Sequence, residues 1–335
     1  MTKTFYESRN RIRTHYIKND YGTFIVFDYF IRNRKIYFIS TYYSPTKPTF
    51  KLNLEKVPLI EFSLKEQEPV RYFSGAIDDS QKEFSLYING NVHVIQPVIV
   101  KELAVKHKLV VATLFKNETP SMIRRFLDYY RRQGVDHFYL YYNGATLPLG
   151  LHESQSLPVS SDITYRTWDF PYLLSADDGY LHCAQAVFLT TFRLRHFDDC
   201  EWAMLIDLDE FIWSLDEGIL LIDYLNTVVD SEVNVVKLQN YWSKVPDVGG
   251  VMSFSGVGLG WIHRTKCIYR RSYRGYFGIH APKSNNDTVI MECHDLYLLH
   301  LTTLHPERNL LIQPPILNTG ISLLGIERES VNATA

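Results

Sequence analysis

Trp202-Ala203-Met204-Leu205-Ile206 is an apolar run that stops abruptly at Asp207-Leu208-Asp209-Glu210, three carboxylates within four positions. A run this apolar reads as a strand buried on both faces. Carboxylates are almost never fully buried without a partner. The chain must therefore carry this strand through a core and release it at an edge, where the acids meet water or a cation. Alternation along a strand puts Asp207 and Asp209 on one side of the strand end. Held that close, two like charges repel and raise each other's pKa unless a cation joins them. Oxygen-rich sets suit hard divalent ions such as Mg²⁺ or Mn²⁺, and open α/β sheets gather ligands at the carboxyl ends of strands. Two readings fit: a metal-assisted site for a phosphorylated ligand, or a solvated acidic loop after a buried strand. The strand before the acids and the Glu-Phe after them favour the first.

The rest of the chain divides by rhythm. The first hundred residues read as β structure: Thr23 to Phe27 and Lys35 to Ile39 are short apolar and aromatic runs, and Phe84 to Ile88 and Val92 to Ile95 flank Asn89-Gly90. That dipeptide accepts positive φ and so favours a tight hairpin turn. These runs predict an antiparallel, sandwich-like β module over residues 1–104. A strand–helix alternation follows. Leu109 to Leu114 reads as a buried strand. Thr119-Pro120 supplies an N-cap and a proline at the first helical position, Ile123, Phe126, Leu127 and Tyr130 make an apolar stripe at helical spacing, and Gly134 stops the helix. Arg124, Arg125, Arg131 and Arg132 on that helix read as a solvated face. Further strands are expected at Asp136 to Tyr142, Ile163 to Phe170 and Val233 to Leu238, with a helix from Asp178 to His196. Alternation of this kind implies a mainly parallel sheet covered by helices, a second unit over 105–335.

Composition narrows the function. The 335 residues are 46% hydrophobic with a formal net charge of −2. A large core is available, and there is no electrostatic footprint for nucleic acid. The N-terminus lacks an apolar signal region and no run of about 18 apolar residues occurs, so no membrane insertion is expected and a cytoplasmic protein is. Cys183, Cys200, Cys267 and Cys293 show neither metal spacing nor a disulfide framework, which reads as free thiols. Asn117, Asn286 and Asn332 begin Asn-x-Thr sequons that matter only in a secretory lumen. A Gly-Lys-Ser/Thr phosphate loop and a His-Glu-x-x-His motif are both missing from the sequence, which sets aside two enzyme classes.

Four pieces, in order over about residues 108 to 305, make the chain resemble a GT-A glycosyltransferase of family 92 and its bacterial family-2-like relatives. They are Lys116-Asn117-Glu118 followed by a helix and Gly134-Val135-Asp136-His137 with an aromatic strand; Gln185 on the helix before the acidic strand; Asp207-Leu208-Asp209-Glu210-Phe211; and the late histidines His280 and His300 after Arg264-Thr265-Lys266. Two segments depart from the pattern. Trp242 to Asp247 stands where the family often has Phe-Gly, and Gly249 to Gly260 does not align. Plant members resemble this chain in carrying a β-rich module first.

The resemblance implies a Rossmann-like GT-A domain that moves a sugar, galactose foremost, from a UDP-sugar donor to a glycan acceptor with inversion, assisted by Mn²⁺ or Mg²⁺. It implies Asp209 as the direct metal ligand, Asp207 at metal-bound water or ribose, and His280 ahead of His300 as a further ligand. Lys116, Asn117, Glu118 and Gln185 would meet the donor, and Lys266 and Arg264 would neutralise phosphate. Direct displacement needs a base within hydrogen-bond reach of the acceptor hydroxyl. Asp247 is the first choice, with Glu292 and Asp295 behind it, while Glu210 serves as a base or orients the acidic loop. Trp242 could be a sugar platform or a core residue. Two other classes stay open: a carbohydrate- or nucleotide-sugar-binding protein without turnover, and a metal-dependent phosphoryl- or nucleotidyl-transfer enzyme.

Overall fold

The computed structural model describes residues 11–12, 17–18, 24–41, 52–63, 70–78, 81–101, 107–147, 157–172, 174–176, 179–181, 183–214, 219–243, 247–248, 251–252, 257–259, 265–283 and 287–301. Among them, ten strands form one mixed sheet. In chain order these are β1 (Arg11–Ile12), β2 (His107–Phe115), β3 (His137–Tyr142), β4 (Ile163–Thr167), β5 (Cys200–Leu205), β6 (Glu210–Ser214), β7 (Val235–Ser243), β8 (Val257–Leu259), β9 (Lys266–Arg270) and β10 (Ile290–Leu301). Their spatial order is β1-β4-β3-β2-β5-β9-β7-β10-β6, with β8 also on β7. The first five are mutually parallel. Beyond β5 the sheet is mixed: β9 runs antiparallel to β5 and β7, β10 parallel to β7, and β6 antiparallel to β10.

Alternation sorts the central strands onto two cores. Leu109 and Val111 of β2, with Trp202, Met204 and Ile206 of the β5 run, face helices α1 (Pro120–Arg132) and α3 (Leu221–Thr227). Val110, Ala112, Ala203 and Leu205 face helix α2 (Cys183–Arg195). Helix α1 begins and ends where its sequence says. The Thr119 side chain accepts from the Met122 N–H, and Gly134 takes φ +87 where a Cβ would run into Ile222 of α3. Its stripe of Ile123, Phe126, Leu127 and Tyr130 is buried, joined by Tyr129. Each such side chain contributes roughly 1.5–3 kcal/mol. Of the arginines expected in solvent, Arg131 instead grips Asp162 at 2.7 Å.

The N-terminal residues form two further sheets. Ile17–Lys18, Phe24–Arg32, Lys35–Thr41, Ile60–Ser63, Val70–Ala76 and Val98–Ile99 make one. Leu52–Leu54, Phe84–Ile88 and Asn91–Ile95 make the other. The Asn89-Gly90 turn has φ 50 and 88, as its hairpin needs. Val26, Ile36 and Phe38 of the first sheet share a core with Leu54, Leu86 and Ile95 of the second. The other face of the first sheet, through Phe27, Phe30, Ile39 and Val70, belongs to the same core as α2.

Arg11–Ile12 pairs with Tyr165–Arg166 and covers the edge of β4, which would otherwise be an open template. Two expectations need correction. The helix expected from Asp178 starts at Cys183, because Leu174–Ala176 and Gly179–Leu181 form a hairpin before it. The apolar strand ends at Leu205, so Asp207 and Asp209 belong to a turn, and strand alternation does not set their directions.

Candidate active site

Register brings several chain segments to one edge of the large sheet. Ala112 of β2 lies beside Leu205 of β5, so the Lys116–Glu118 loop and the Asp207–Glu210 turn leave side by side. Lys266 opens the antiparallel β9 at the same edge. Trp242 and Glu210 both lie opposite His300.

The acidic turn is closed by Glu210. Its N–H donates to the Asp207 carbonyl at 3.0 Å, and its Oε2 accepts from the Asp207 N–H at 2.8 Å. Buried Lys266 donates to Asp207 Oδ2 at 2.8 Å and lies 3.3 Å from Glu210 Oε2. His300 Nε2 meets Asp209 Oδ2 at 2.9 Å, and His300 Nδ1 lies 3.6 Å from Glu210 Oε1. Lys266 and His300 are thus held to two carboxylates each. Glu118 Oε2 accepts from the Lys116 N–H at 2.8 Å, while Lys116 and Asn117 are exposed.

Protonation follows from this crowding. Burial pushes Glu210 up to about 7, with Lys266 pulling down and Asp207 pushing up. Burial opposes the charge on Lys266 and on His300, yet Asp207 and Glu210 raise the first and Asp209 raises the second. Glu118 is raised by burial, and the charge of Asp209 adds to that. Four carboxylates against one lysine and one histidine is an excess of negative charge that a cation would relieve.

Two atoms fit a divalent ion. Asp209 Oδ2 and His300 Nε2, 2.9 Å apart, are spaced like neighbouring ligands of an octahedral ion with bonds of about 2.1 Å. Among the described residues, no group of three or more His, Cys, Asp or Glu side chains could hold a metal ion. His280 is placed differently: its carbonyl accepts from Thr265 Oγ1 beside Lys266.

The remaining candidates spread out. Gln185 is half-buried in the first turns of α2. Glu292 lies opposite Lys237 of β7, five residues before Trp242, which lies opposite His300; that is roughly 17 Å along an extended strand, and Glu292 pairs with Lys237 at 2.8 Å. Asp295 accepts from Tyr224 at 3.2 Å, in the stretch of β10 between Cys293 and Tyr297 where the pairing with β7 shifts register. The strand carries both away from the acidic turn. Asp247 opens a short hairpin with Val251–Met252 soon after β7, whose end lies level with His300; its side chain, that of Trp242, and all of Arg264 and Asp177-Asp178 lie outside the described residues. Cys200, Cys267 and Cys293 are buried free thiols.

Sequence reasoning overlooked the hydroxyls of α1. Tyr130 donates to the Glu210 carbonyl and accepts from the Ile212 N–H, both at 3.0 Å. Tyr129 donates to the Ile212 carbonyl. The signal was there: a buried tyrosine needs a partner for its hydroxyl.

The family model for glycosyltransferase family 92 matches residues 107–318, the span that supplies every residue of this cluster. The chain belongs to glycosyltransferase family 92. Family 92 proteins of Oryza sativa subsp. japonica and Arabidopsis thaliana are 29% and 27% identical over 106 and 113 residues, 32% and 34% of this chain. One from Ricinus communis is 24% identical over 193 residues, 57% of this chain. The chain spans only 16%, 18% and 32% of these relatives' own lengths. HddC from Yersinia pseudotuberculosis overlaps 55% of this family 92 chain and 84% of its own at 11% identity, with a TM-score of 0.27, too low to carry an argument. Among the described residues of the family 92 chain, no helix is long and apolar enough to cross a membrane.

Proposed function

We propose that this protein is a metal-dependent glycosyltransferase that transfers a sugar from a UDP-sugar, galactose foremost, to a hydroxyl of a glycan, with inversion. The reading treats residues 105–335 as a GT-A domain and the N-terminal sheets as a β module that holds the longer acceptor. The observation that carries it is the Asp207–Glu210 turn, rich in negative charge and set beside the Lys116–Glu118 loop at the carboxyl edge of the parallel part of the sheet, where α/β folds bind nucleotides.

Asp209 and His300 would hold Mn²⁺ or Mg²⁺, and the ion supplies charge stabilisation for the departing diphosphate. Lys266, kept cationic by Asp207 and Glu210, adds positive charge on the same side. Asp207 would meet the ribose or water at the ion, while Lys116, Asn117, Glu118 and Gln185 would line the donor. The acceptor oxygen attacks the anomeric carbon as its bond to the diphosphate breaks. A base must take the hydroxyl proton from the opposite face. Asp247 is assigned that role, because its hairpin follows β7 at the site edge whereas Glu292 and Asp295 lie far down β10.

A panel of nucleotide sugars tests the reading, with thermal shift for binding and product release for turnover in Mn²⁺ and in chelator. The expected result is a uridine diphosphate sugar, metal-dependent transfer to a glycan, and inverted configuration by NMR of the product. Phosphate release or exchange without sugar transfer would replace it with phosphoryl-transfer chemistry. Sugar binding without turnover would leave a binding protein.

A further inference from the structure

Strand β6 begins with Glu210, the last residue of the acidic turn, and among the described residues it is the outermost strand of its sheet. One side of its backbone pairs with β10. Among the described residues the other side has no neighbouring strand, yet Glu210, Phe211 and Ile212 are buried. Buried backbone groups must be hydrogen-bonded. Here two side chains from α1 stand in for the missing strand. The fully buried Tyr130 hydroxyl donates to the Glu210 carbonyl and accepts from the Ile212 N–H, both at 3.0 Å. A residue of a parallel neighbour would offer the same pair of bonds, one to the carbonyl of residue i and one from the N–H of residue i+2. Tyr129 takes the Ile212 carbonyl. Phe211 fills the space between, with its ring centroid 5.1 Å from that of Tyr129 and 6.2 Å from that of Tyr130.

We infer that Tyr130 is a positioning residue for the acidic turn. The inference rests on the site reading given above. Glu210 is tied to Asp207 through both its N–H and its carboxylate, and the residue before it, Asp209, meets His300. A shift of the Glu210 carbonyl therefore moves both aspartates at once. Tyr130 makes no described contact with either aspartate, so it acts through Glu210 alone. The same helix follows directly on the Lys116–Glu118 loop, so α1 links the two segments that line the proposed donor site.

The test compares three full-length variants: Tyr130→Phe, which removes one hydroxyl; Ile123→Val, which trims the same helix core without touching β6; and Asp209→Asn. Mn²⁺ affinity is read by calorimetry in the presence of UDP, and amide exchange is followed at residues 207–212. Tyr130→Phe is expected to speed exchange at Ile212 and to weaken Mn²⁺ roughly 10-fold, the scale found when groups that orient metal ligands are lost. Ile123→Val is expected to change neither. Equal Mn²⁺ affinity in Tyr130→Phe and the parent, with Asp209→Asn impaired, would overturn the positioning role and leave the site standing. Unchanged affinity in Asp209→Asn would instead remove the site itself. Should Tyr130→Phe fail to fold, Tyr129→Phe reads the same edge, with faster exchange at 207–212 and weaker Mn²⁺ expected and neither change overturning the proposal.

Discussion

Asp28 and Asp209 are both carboxylates shut into the protein, yet their surroundings differ in kind. Asp28, 0% exposed, lies between the N-terminal sheet and the large one. Arg195 grips it with two bonds of 2.8 Å, and Arg166 adds a third at 3.2 Å. Nearby, Arg32 pairs with Asp199 at 2.8 Å. The guanidinium groups also rest on aromatic faces, Arg195 at 4.0 Å from the Phe30 ring centre and Arg166 at 5.5 Å from Tyr141 and Trp168. Three arginines face two aspartates here, so the cations are in excess. Burial lowers Arg195 only to about 10, so it keeps its charge. Asp209, 8% exposed, sits among other acids, with His300 as its partner while Lys266 holds Asp207 and Glu210. Glu210 beside it is poised near neutrality. One group is closed by planar, permanently charged partners and behaves as a fastener. The other is short of positive charge and suited to receiving it.

The sharpest way to break this contrast is to remove one acid from each group. Asp28→Ala leaves Arg195 and Arg166 buried without their shared partner, a loss on the order of 3–5 kcal/mol. Thermal unfolding should fall by about 4–7 °C, or the protein should be recovered only as aggregate. An unchanged Tm would show that the arginines find water instead. Asp209→Asn should do the reverse. Its Tm should stay close to the parent's while metal-dependent turnover drops roughly 10²–10³-fold, the equivalent of losing several kcal/mol of charge stabilisation. Steady-state rates across a Mn²⁺ series measure it.

A pH series on metal-free protein sharpens the contrast. Glu210 holds its proton up to about 7 in the fold against 4.5 when free, and His300 holds its own above 6.5. Both groups bind more protons folded than unfolded. Their contribution is complete at acid pH and is lost as pH climbs through these folded values. For Glu210 the rise of about 2.5 (from 4.5 to about 7) sets an upper scale of about 3 kcal/mol. Chemical unfolding between pH 5 and 8 should show declining stability in the parent and a flatter curve in Glu210→Gln. Asp28→Asn should lower the whole curve, because it weakens the bonds to Arg195 and Arg166. The smallest effect expected is that of Glu292→Gln, which cuts an exposed pair with Lys237: less than about 1 kcal/mol in stability and near-parental turnover. A large loss of activity there would return Glu292 to the list of bases.

Local signals made much of this legible. Thr119-Pro120 and Gly134 bound a helix, Asn89-Gly90 turns a hairpin, and the apolar run ending at Asp207 marks the site edge, because each is a short-range pattern with a direct backbone cause. The fastener was invisible: Asp28 and Arg195 are separated by 167 positions, and no spacing announces such a pair. The direction of the aspartates was misjudged because alternation was carried two residues past the end of the strand. The order of the two histidines rested on resemblance. It took the register of β10 against β6 to put His300, rather than His280, opposite Glu210.

Helix α2 has apolar residues on more than one side. Ala184, Val187, Phe188 and Phe192 lie in a core that holds both the large sheet and Phe27, Phe30 and Ile39 of the N-terminal sheet. A chain begun at residue 107, where the family match begins, would lay part of that apolar surface open to water and strand Arg166 and Arg195 without Asp28. Exposed surface of that kind recruits other molecules. The span matched as a family and the span that covers the apolar faces of α2 are therefore different lengths of chain, and a gene shortened to begin at residue 107 should yield aggregate.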